Sequence, residues 1–560
     1  MLKTFFYIAL ITFCFTSCSS KKETVDQIIH NATIYSVDST FTIYEAMCIK
    51  DGKIIELNTN ENILKKYESK NMTDAEGKTI LPGFIDAHCH FLGYGLGLQQ
   101  VDLVGSKSYK EVVKRIIQFS NRRLITPDGV EKTISNKSDA LNDWIIGRGW
   151  DQNDWDKKEY PDNHILDSLF PNTPVLLTRI DNHAALANSV ALKLAGITST
   201  TKILGGEILN SKNKLTGILI DNAVALVKNA IPKTSKADLM TALLNAQTNC
   251  LAVGLTTVDD AGLMKTDIDI IDELQKAEKL KIRMYVMLSD SLPNYQYYLE
   301  KGPYKTERLN VCSFKFYADG ALGSRGACLH DNYADKTNWK GFLLNSKEHF
   351  EEYAGIVAKK GFQMNTHCIG DSAYSIILAA YKKAGATKDK RWRIEHAQVV
   401  NPKDMKASDN IIPSVQPTHA TSDMYWAKDR LGETRVKYAY AYKELLNVAG
   451  IVALGTDFPV EDISPFKTFY ASVARQDSKG FPQNGFQSEN ALSREETLKG
   501  MTIWAAYSNF EEKEKGSLEK GKMADFIILD KNIMTCKIED VLKTKVVSTY
   551  INGEKVYSQN

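Results

Sequence analysis

One feature constrains the fold of this chain more than any other: eight strand-like segments, apolar runs that give way to polar residues toward their ends. They cover 80–91, 254–260, 281–289, 311–319, 362–367, 392–396, 411–419 and 451–457. From the second segment onward the gaps hold helical patterns, as at 267–279, 347–359 and 373–384. Strands alternating with helices eight times predict an α/β fold, a (β/α)₈ TIM barrel spanning 80–509. Polar residues at the strand ends are what the active face of such a barrel requires.

The first gap breaks the rhythm. It is too long for a loop and carries its own predicted helices (109–121, 186–195) and strands (144–147, 175–178). We expect an inserted subdomain, 94–250, that roofs the barrel mouth and sets substrate choice. The two chain ends, 24–79 and 510–560, look alike: short strands and tight turns, with hairpin signals at Asp51-Gly52 and Asn552-Gly553. They should pair into one small composite β-sandwich domain.

The N-terminus reads as an export signal. Lys3 precedes an apolar run over residues 5–15, too short to span a bilayer. Phe15-Thr16-Ser17-Cys18 resembles a bacterial lipobox. The expectation is a signal peptide (1–17), lipidation at Cys18, and a tether over 18–23. That describes a cell-envelope lipoprotein, on the periplasmic side or the surface, touching membrane only through its anchor. An ordinary secretory signal with an incidental cysteine is the other reading. Of nine cysteines, removing Cys14 and lipidating Cys18 leaves an odd seven, which argues against a disulfide framework. A net charge of +2, from 70 basic and 68 acidic residues, gives no electrostatic reason to expect nucleic acid, and no run of like charge is long enough for a polyanion-binding tail, so no nucleic-acid partner is expected.

The chemistry lies at the strand ends. His88 and His90 close the first segment, and residues two apart on a strand face the same side, so both imidazoles can reach one ion. His367 ends the fifth segment, His396 the sixth, and Asp457 the eighth. Of ten histidines, four thus sit at matching ends of three strands, a clustering that incidental core histidines do not produce. Lys315 lies within the fourth, largely apolar segment, and a buried unpaired ammonium is costly. Either it pairs with a carboxylate such as Asp319, or CO₂ converts it to a carbamate that bridges two cations.

Five runs carry a family resemblance. Leu81 to His88 (LPGFIDAH), Lys315 to Arg325 (KFYADGALGSR), Thr366 to Asp371 (THCIGD), Ile394 to Gln398 (IEHAQ) and Gly455 to Glu461 (GTDFPVE) resemble the YtcJ-like branch of the amidohydrolase superfamily (amidohydrolase family 3). Gly516 to Leu529 resembles the strand opening the C-terminal sheet of these enzymes. The resemblance runs from about residue 26 to the end, with its motifs in order. It implies two zinc ions or another divalent metal: one held by His88, His90 and Asp457, the other by His367 and His396, with N6-carboxylated Lys315 bridging. It also implies hydrolysis of a carbon–nitrogen bond in an amide, N-substituted formamide or cyclic amide, a small-molecule substrate.

On that reading a hydroxide between the metals attacks the carbonyl, and Asp457 is the general base. Weaker substrate-binding candidates are His419 at the end of the seventh segment, His183 at the start of a predicted helix, and Trp150 with Asp151 in the pocket roof. Two rival readings are a mononuclear deaminase on the same barrel and a lipoprotein that binds a small molecule without turning it over. The oligomeric state stays open, a homodimer included.

Overall fold

The computed structural model describes residues 22–121, 123–125, 131–133, 144–152, 155–179, 184–203, 206–212, 214–232, 234–323 and 325–559. At its centre eight strands run parallel in chain order. They are β1 (Phe84–Cys89), β2 (Leu255–Leu263), β3 (Arg283–Ser289), β4 (Leu309–Tyr317), β5 (Gln363–Cys368), β6 (Arg393–His396), β7 (Ile412–Val415) and β8 (Ala453–Leu454). Seven parallel ladders join them. The ring is drawn together past the last strand, where Asp457 N donates to His88 O (2.8 Å) and His90 N donates to Phe458 O (2.8 Å). The result is a nearly closed TIM barrel.

Its strands are buried along nearly their whole length, polar positions included, because the barrel interior covers one face and helices the other. Those helices form for local reasons. In Lys347–Lys359, Ser346 caps the N-terminus by accepting from His349 N, while Phe350, Ala354 and Val357 fall on one buried stripe. Lys236–Ala252 starts from a capping box between Ser235 and Asp238.

Three expected strands change at their ends, two of them for a visible reason. The run 80–91 divides at Gly83. Gly83 N still donates to Asp525 O of the end sheet (3.0 Å), and the next amide, Phe84 N, donates to Gly254 O of the barrel (3.0 Å). A Cβ at Gly83 would lie 2.3 Å from Thr256 Cγ2, so only glycine permits the change of partner. The seventh strand stops at Val415 because Pro417 opens the helix Pro417–Asp423, which places His419 in a helical first turn and not on a strand. The eighth strand is two residues long and leaves the ladder before Asp457.

The chain ends build two facing sheets. One runs Glu554–Ser558, Val546–Ile551, Phe526–Leu529, Thr79–Pro82, Thr33–Tyr35, Ile43–Tyr44; the other runs Lys53–Asn58, Ala46–Lys50, Gln27–His30, Met72–Asp74. Ile29, Met47, Ile49 and Ile54 from the second pack against Ile34, Ile80, Phe526 and Ile528 from the first. The turn at Asp51 (φ 51°) and Gly52 (φ 71°) joins Lys50 to Lys53, the left-handed pair that a tight hairpin demands.

Between β1 and β2 a second, six-stranded mixed sheet has its own core of Val101, Leu103, Ile116, Leu177 and others. Here residues 184–187 form a strand, whereas the helical pattern predicted a helix from 186. The helix starts only at Ser189, because Asn188 caps it by accepting from Ala191 N.

Candidate metal centre

The ligand-type side chains converge at the C-terminal end of the barrel. His88 lies on β1, fully buried, and His90 follows it at the head of the helix Phe91–Gly97, the two ring centroids 5.8 Å apart. From β4, Lys315 brings Nζ to 3.2 Å from His88 Nε2. The ring of His396, ending β6, lies 4.7 Å from that of His88 and 4.6 Å from that of His367 on β5. Asp457 Oδ1 stands 3.3 Å from His90 Nε2 and 3.8 Å from His88 Nε2. Its Oδ2 stands 3.5 Å from His419 Nε2. One donor atom each of His88, His396 and Asp457 lie within 4.8 Å of one another. That trio draws on both expected ligand groups, so the groups form one continuous cluster.

Backbone geometry is strained to achieve this. His396 (φ 69°) and Asp457 (φ 62°) occupy the left-handed region, at a cost of roughly 1–3 kcal/mol each. Gly455 permits the close approach: a Cβ there would sit 2.5 Å from His88 N. Beneath it, Asp86 accepts from His88 N, Thr456 N and Thr456 Oγ, stapling β1 to the segment that carries Asp457.

The electrostatics suit metal ligation. Burial, with the nearby Lys315 charge, lowers His88 to about 4 and His367 to about 3, and burial holds His396 well below its usual value. All three imidazoles are therefore neutral at pH 7, the state that coordinates metal. Burial also pulls Lys315 down to about 8. Burial alone would raise Asp457, but the contact with His90 and the polar surroundings outweigh it and hold the carboxyl well below its usual value.

Several of these groups lack partners. His367 Nε2, His419 Nε2, Asp457 Oδ1 and both side-chain polar atoms of Asn365 are buried without a hydrogen bond. Buried polar atoms are almost always paired, and imidazole nitrogens beside a carboxylate form the donor set that divalent transition metals favour. The residues present fit such an ion.

The remaining sequence candidates divide. His419 joins the cluster, its ring 5.9 Å from that of His396. Trp150 does not present itself as a pocket wall: it is 1% exposed in the core of the inserted sheet, where Nε1 donates to Leu177 O (2.7 Å) and the ring packs on Trp155. An indole there supplies packing area that the small inserted sheet needs. Asp151 pairs with Arg179, Oδ1 to Nη2 2.6 Å. His183 lies outside the described residues. The alternative partner for Lys315 is engaged elsewhere: Asp319 accepts from Cys328 N, Ile369 N and Gly370 N, fixing the loop after β5.

Comparison with known proteins agrees with this geometry. The amidohydrolase family Amidohydro_3 matches residues 71–557. The chain belongs to the amidohydrolase family. YtcJ of Bacillus subtilis (strain 168) is 30% identical over 548 residues, covering 95% of this chain and 99% of that protein. The N-substituted formamide deformylase of Arthrobacter pascens is 25% identical over 568 residues, covering 95% and 98%. Among solved structures, an uncharacterized metal-dependent hydrolase from Pyrococcus horikoshii superposes with a TM-score of 0.72 at 27% identity, covering 91% of this chain and 99% of that one.

In this amidohydrolase two of the clustered imidazoles are held from behind by residues that carry no ligand signature in the sequence. Glu395 Oε2 lies 2.5 Å from His88 Nδ1, and Glu395 Oε1 accepts from Arg393 Nε (2.7 Å). Gln416 Oε1 lies 2.8 Å from His396 Nδ1. A signal was present: Arg393 and Glu395 are two opposite charges two residues apart on one barrel strand, which puts both on the same buried face.

Proposed function

We propose that this amidohydrolase cleaves a non-peptide carbon–nitrogen bond, in an amide, N-substituted formamide or cyclic amide, using two divalent metal ions, zinc foremost. The observation that carries the reading is the cluster of neutral, partly unpartnered imidazoles around an ionised Asp457. His88, His90 and Asp457 would hold one ion and His367 and His396 the other, with carboxylated Lys315 between them. The carbamate is supported by the lowered pKa of Lys315, because only the neutral amine adds CO₂. It is supported further by the electrostatic conflict that an unmodified ammonium would create among metal ions.

Metal bound there would supply Lewis acidity and a hydroxide nucleophile near neutral pH. The chain's own residues do the rest. Asp457, ionised and at the centre of the cluster, accepts the nucleophile's proton at a carboxylate oxygen and returns it to the leaving nitrogen. His419, its Nε2 unpartnered and beside Asp457 Oδ2, orients the substrate oxygen. The inserted sheet, on this reading, roofs the mouth and selects the substrate. An amide-type substrate is favoured by the likeness to the deformylase.

The tight trio of His88, His396 and Asp457 favours a second reading, a mononuclear deaminase. Metal content separates them. Purified protein supplied with zinc and bicarbonate should hold about two zinc ions per chain, falling in Lys315→Ala, and should hydrolyse members of a panel of amides and N-acyl compounds. One ion per chain, indifferent to Lys315→Ala, would turn the assignment to the deaminase.

We further propose that the protein is exported and lipid-anchored at Cys18. No helix among the described residues is long and apolar enough to cross a membrane, and residues 1–21 lie outside them. Incorporation of labelled fatty acid that disappears in Cys18→Ala is the expected result; unlabelled wild type would exclude the anchor.

A further inference from the structure

Below the ligand cluster lies a chain of fully buried ionic groups that ligation itself does not use. Glu395 spans the gap between His88 and Arg393. The Arg393 guanidinium donates onward, to Asp259 Oδ2 (3.0 Å) and to Ala87 O (2.9 Å). Asn509 Nδ2 then donates to Asp259 Oδ1 (2.7 Å). Arg393, Glu395 and Asp259 are each 0% exposed. Replacing buried ion pairs by apolar residues is often neutral or stabilising, so the fold alone gives no reason to bury three charges there.

The chain is directional. Its far end is anchored in β2 and in Asn509, and its near end is one carboxylate oxygen on one nitrogen of one metal-ligand candidate. A carboxylate held by an arginine can only accept, so the hydrogen must sit on His88 Nδ1 and the lone pair on Nε2, which faces Lys315 and Asp457. His396 is treated differently: its Nδ1 meets the neutral amide of Gln416.

We infer that Glu395, clamped by Arg393, is a positioning residue for His88: it fixes the tautomer and ring orientation and makes Nε2 the more strongly donating imidazole nitrogen of the site. The inference rests on the metal-site reading given above. A charged partner raises ligand basicity more than a neutral one, and loss of such partners typically weakens metal binding about 10–100-fold. Gln at 395 would give His88 the kind of support that His396 already has.

The test compares wild type, Glu395→Gln and Asp525→Asn, the last breaking a buried ion pair away from the ligands. Cobalt(II) titration reads affinity and the visible spectrum of the bound ion; thermal melting reads stability. Glu395→Gln should bind cobalt about 10–100-fold more weakly with an altered spectrum, while Asp525→Asn should melt earlier and bind as wild type. Equal affinity and an unchanged spectrum in Glu395→Gln would overturn the inference.

If that variant fails to fold, proton NMR of ¹⁵N-histidine-labelled wild type answers without it. One imidazole N–H, on Nδ1, should lie far downfield from a strong bond to carboxylate, and its absence overturns the assignment. If wild type takes up no cobalt, the metal-site reading fails, while the imidazole signal still reports whether Glu395 grips His88.

Discussion

The two ends of the barrel bury polar groups in opposite ways. At the N-terminal floor, Arg283 opens β3 and faces Asp525 of the end sheet. Nε donates to Oδ2 (2.6 Å) and Nη2 to Oδ1 (3.1 Å), while Asn552 Oδ1 and Glu307 O take further donors. At the mouth, His367 Nε2, His419 Nε2, Asp457 Oδ1 and the Asn365 amide are buried without a hydrogen bond. Folding suffices to explain the floor, where each charge has its counterpart. The mouth leaves donors and acceptors of metal-ligand type unbonded, and it alone combines them with left-handed backbone at His396 and Asp457.

Metal removal should separate the ends most sharply. Chelation is expected to abolish hydrolysis and lower the melting temperature, since a ligand present at about 1,000 times its Kd stabilises the fold by about 4 kcal/mol. Full activity after exhaustive chelation, verified by elemental analysis, would erase the distinction. Next in size is Asp457→Asn, which keeps the size of the side chain but removes the base. We expect kcat to fall about 10²–10⁴-fold with much of the metal retained, and steady-state kinetics beside metal content decides it.

The floor should answer to stability alone. Asp525→Asn strands a buried guanidinium and should cost about 3–5 kcal/mol in denaturant unfolding, whereas an apolar double replacement, Arg283→Met with Asp525→Leu, should recover much of that. Neither variant should change metal affinity. A floor variant that loses metal in the native state would mean that the two ends are coupled and the contrast is false.

Most of the mouth was legible in the sequence and much of its support was not. Ligand types at strand ends announce themselves, because His, Lys and Asp are conspicuous where apolar residues are expected, and Lys315 between Phe314 and Phe316 is the plainest case. The barrel followed from strand and helix periods. Strand 7 was misjudged where Pro417 ends it, because an apolar run does not show on which residue the helix begins. Trp150 looked like a pocket aromatic because sequence cannot say which core an indole fills. Glu395 and Gln416 were missed for a related reason: their chemistry is defined by a neighbour on another strand, and that pairing exists only after folding.

The finest discrimination concerns Lys315. An ordinary lysine, near 10.4, is neutral in only about 0.04% of molecules at pH 7, whereas one near 8 is neutral in about 10%. Burial is the cause of the shift, so it belongs to the folded apo-protein. Carbamate formation needs the neutral amine, so the sign is fixed: at constant dissolved CO₂, metal-dependent activation of apo-protein should quicken as pH rises. The increase should be about tenfold per unit below pH 8 and level off above it. Stopped-time assays of activation, with zinc held constant by a metal buffer, give the curve. A rate still climbing at pH 10 would assign the titration to an unperturbed amine and remove Lys315 from the bridge. A plateau near 8 that vanishes in Lys315→Ala would tie the activation step to the buried amine that lies beside His88.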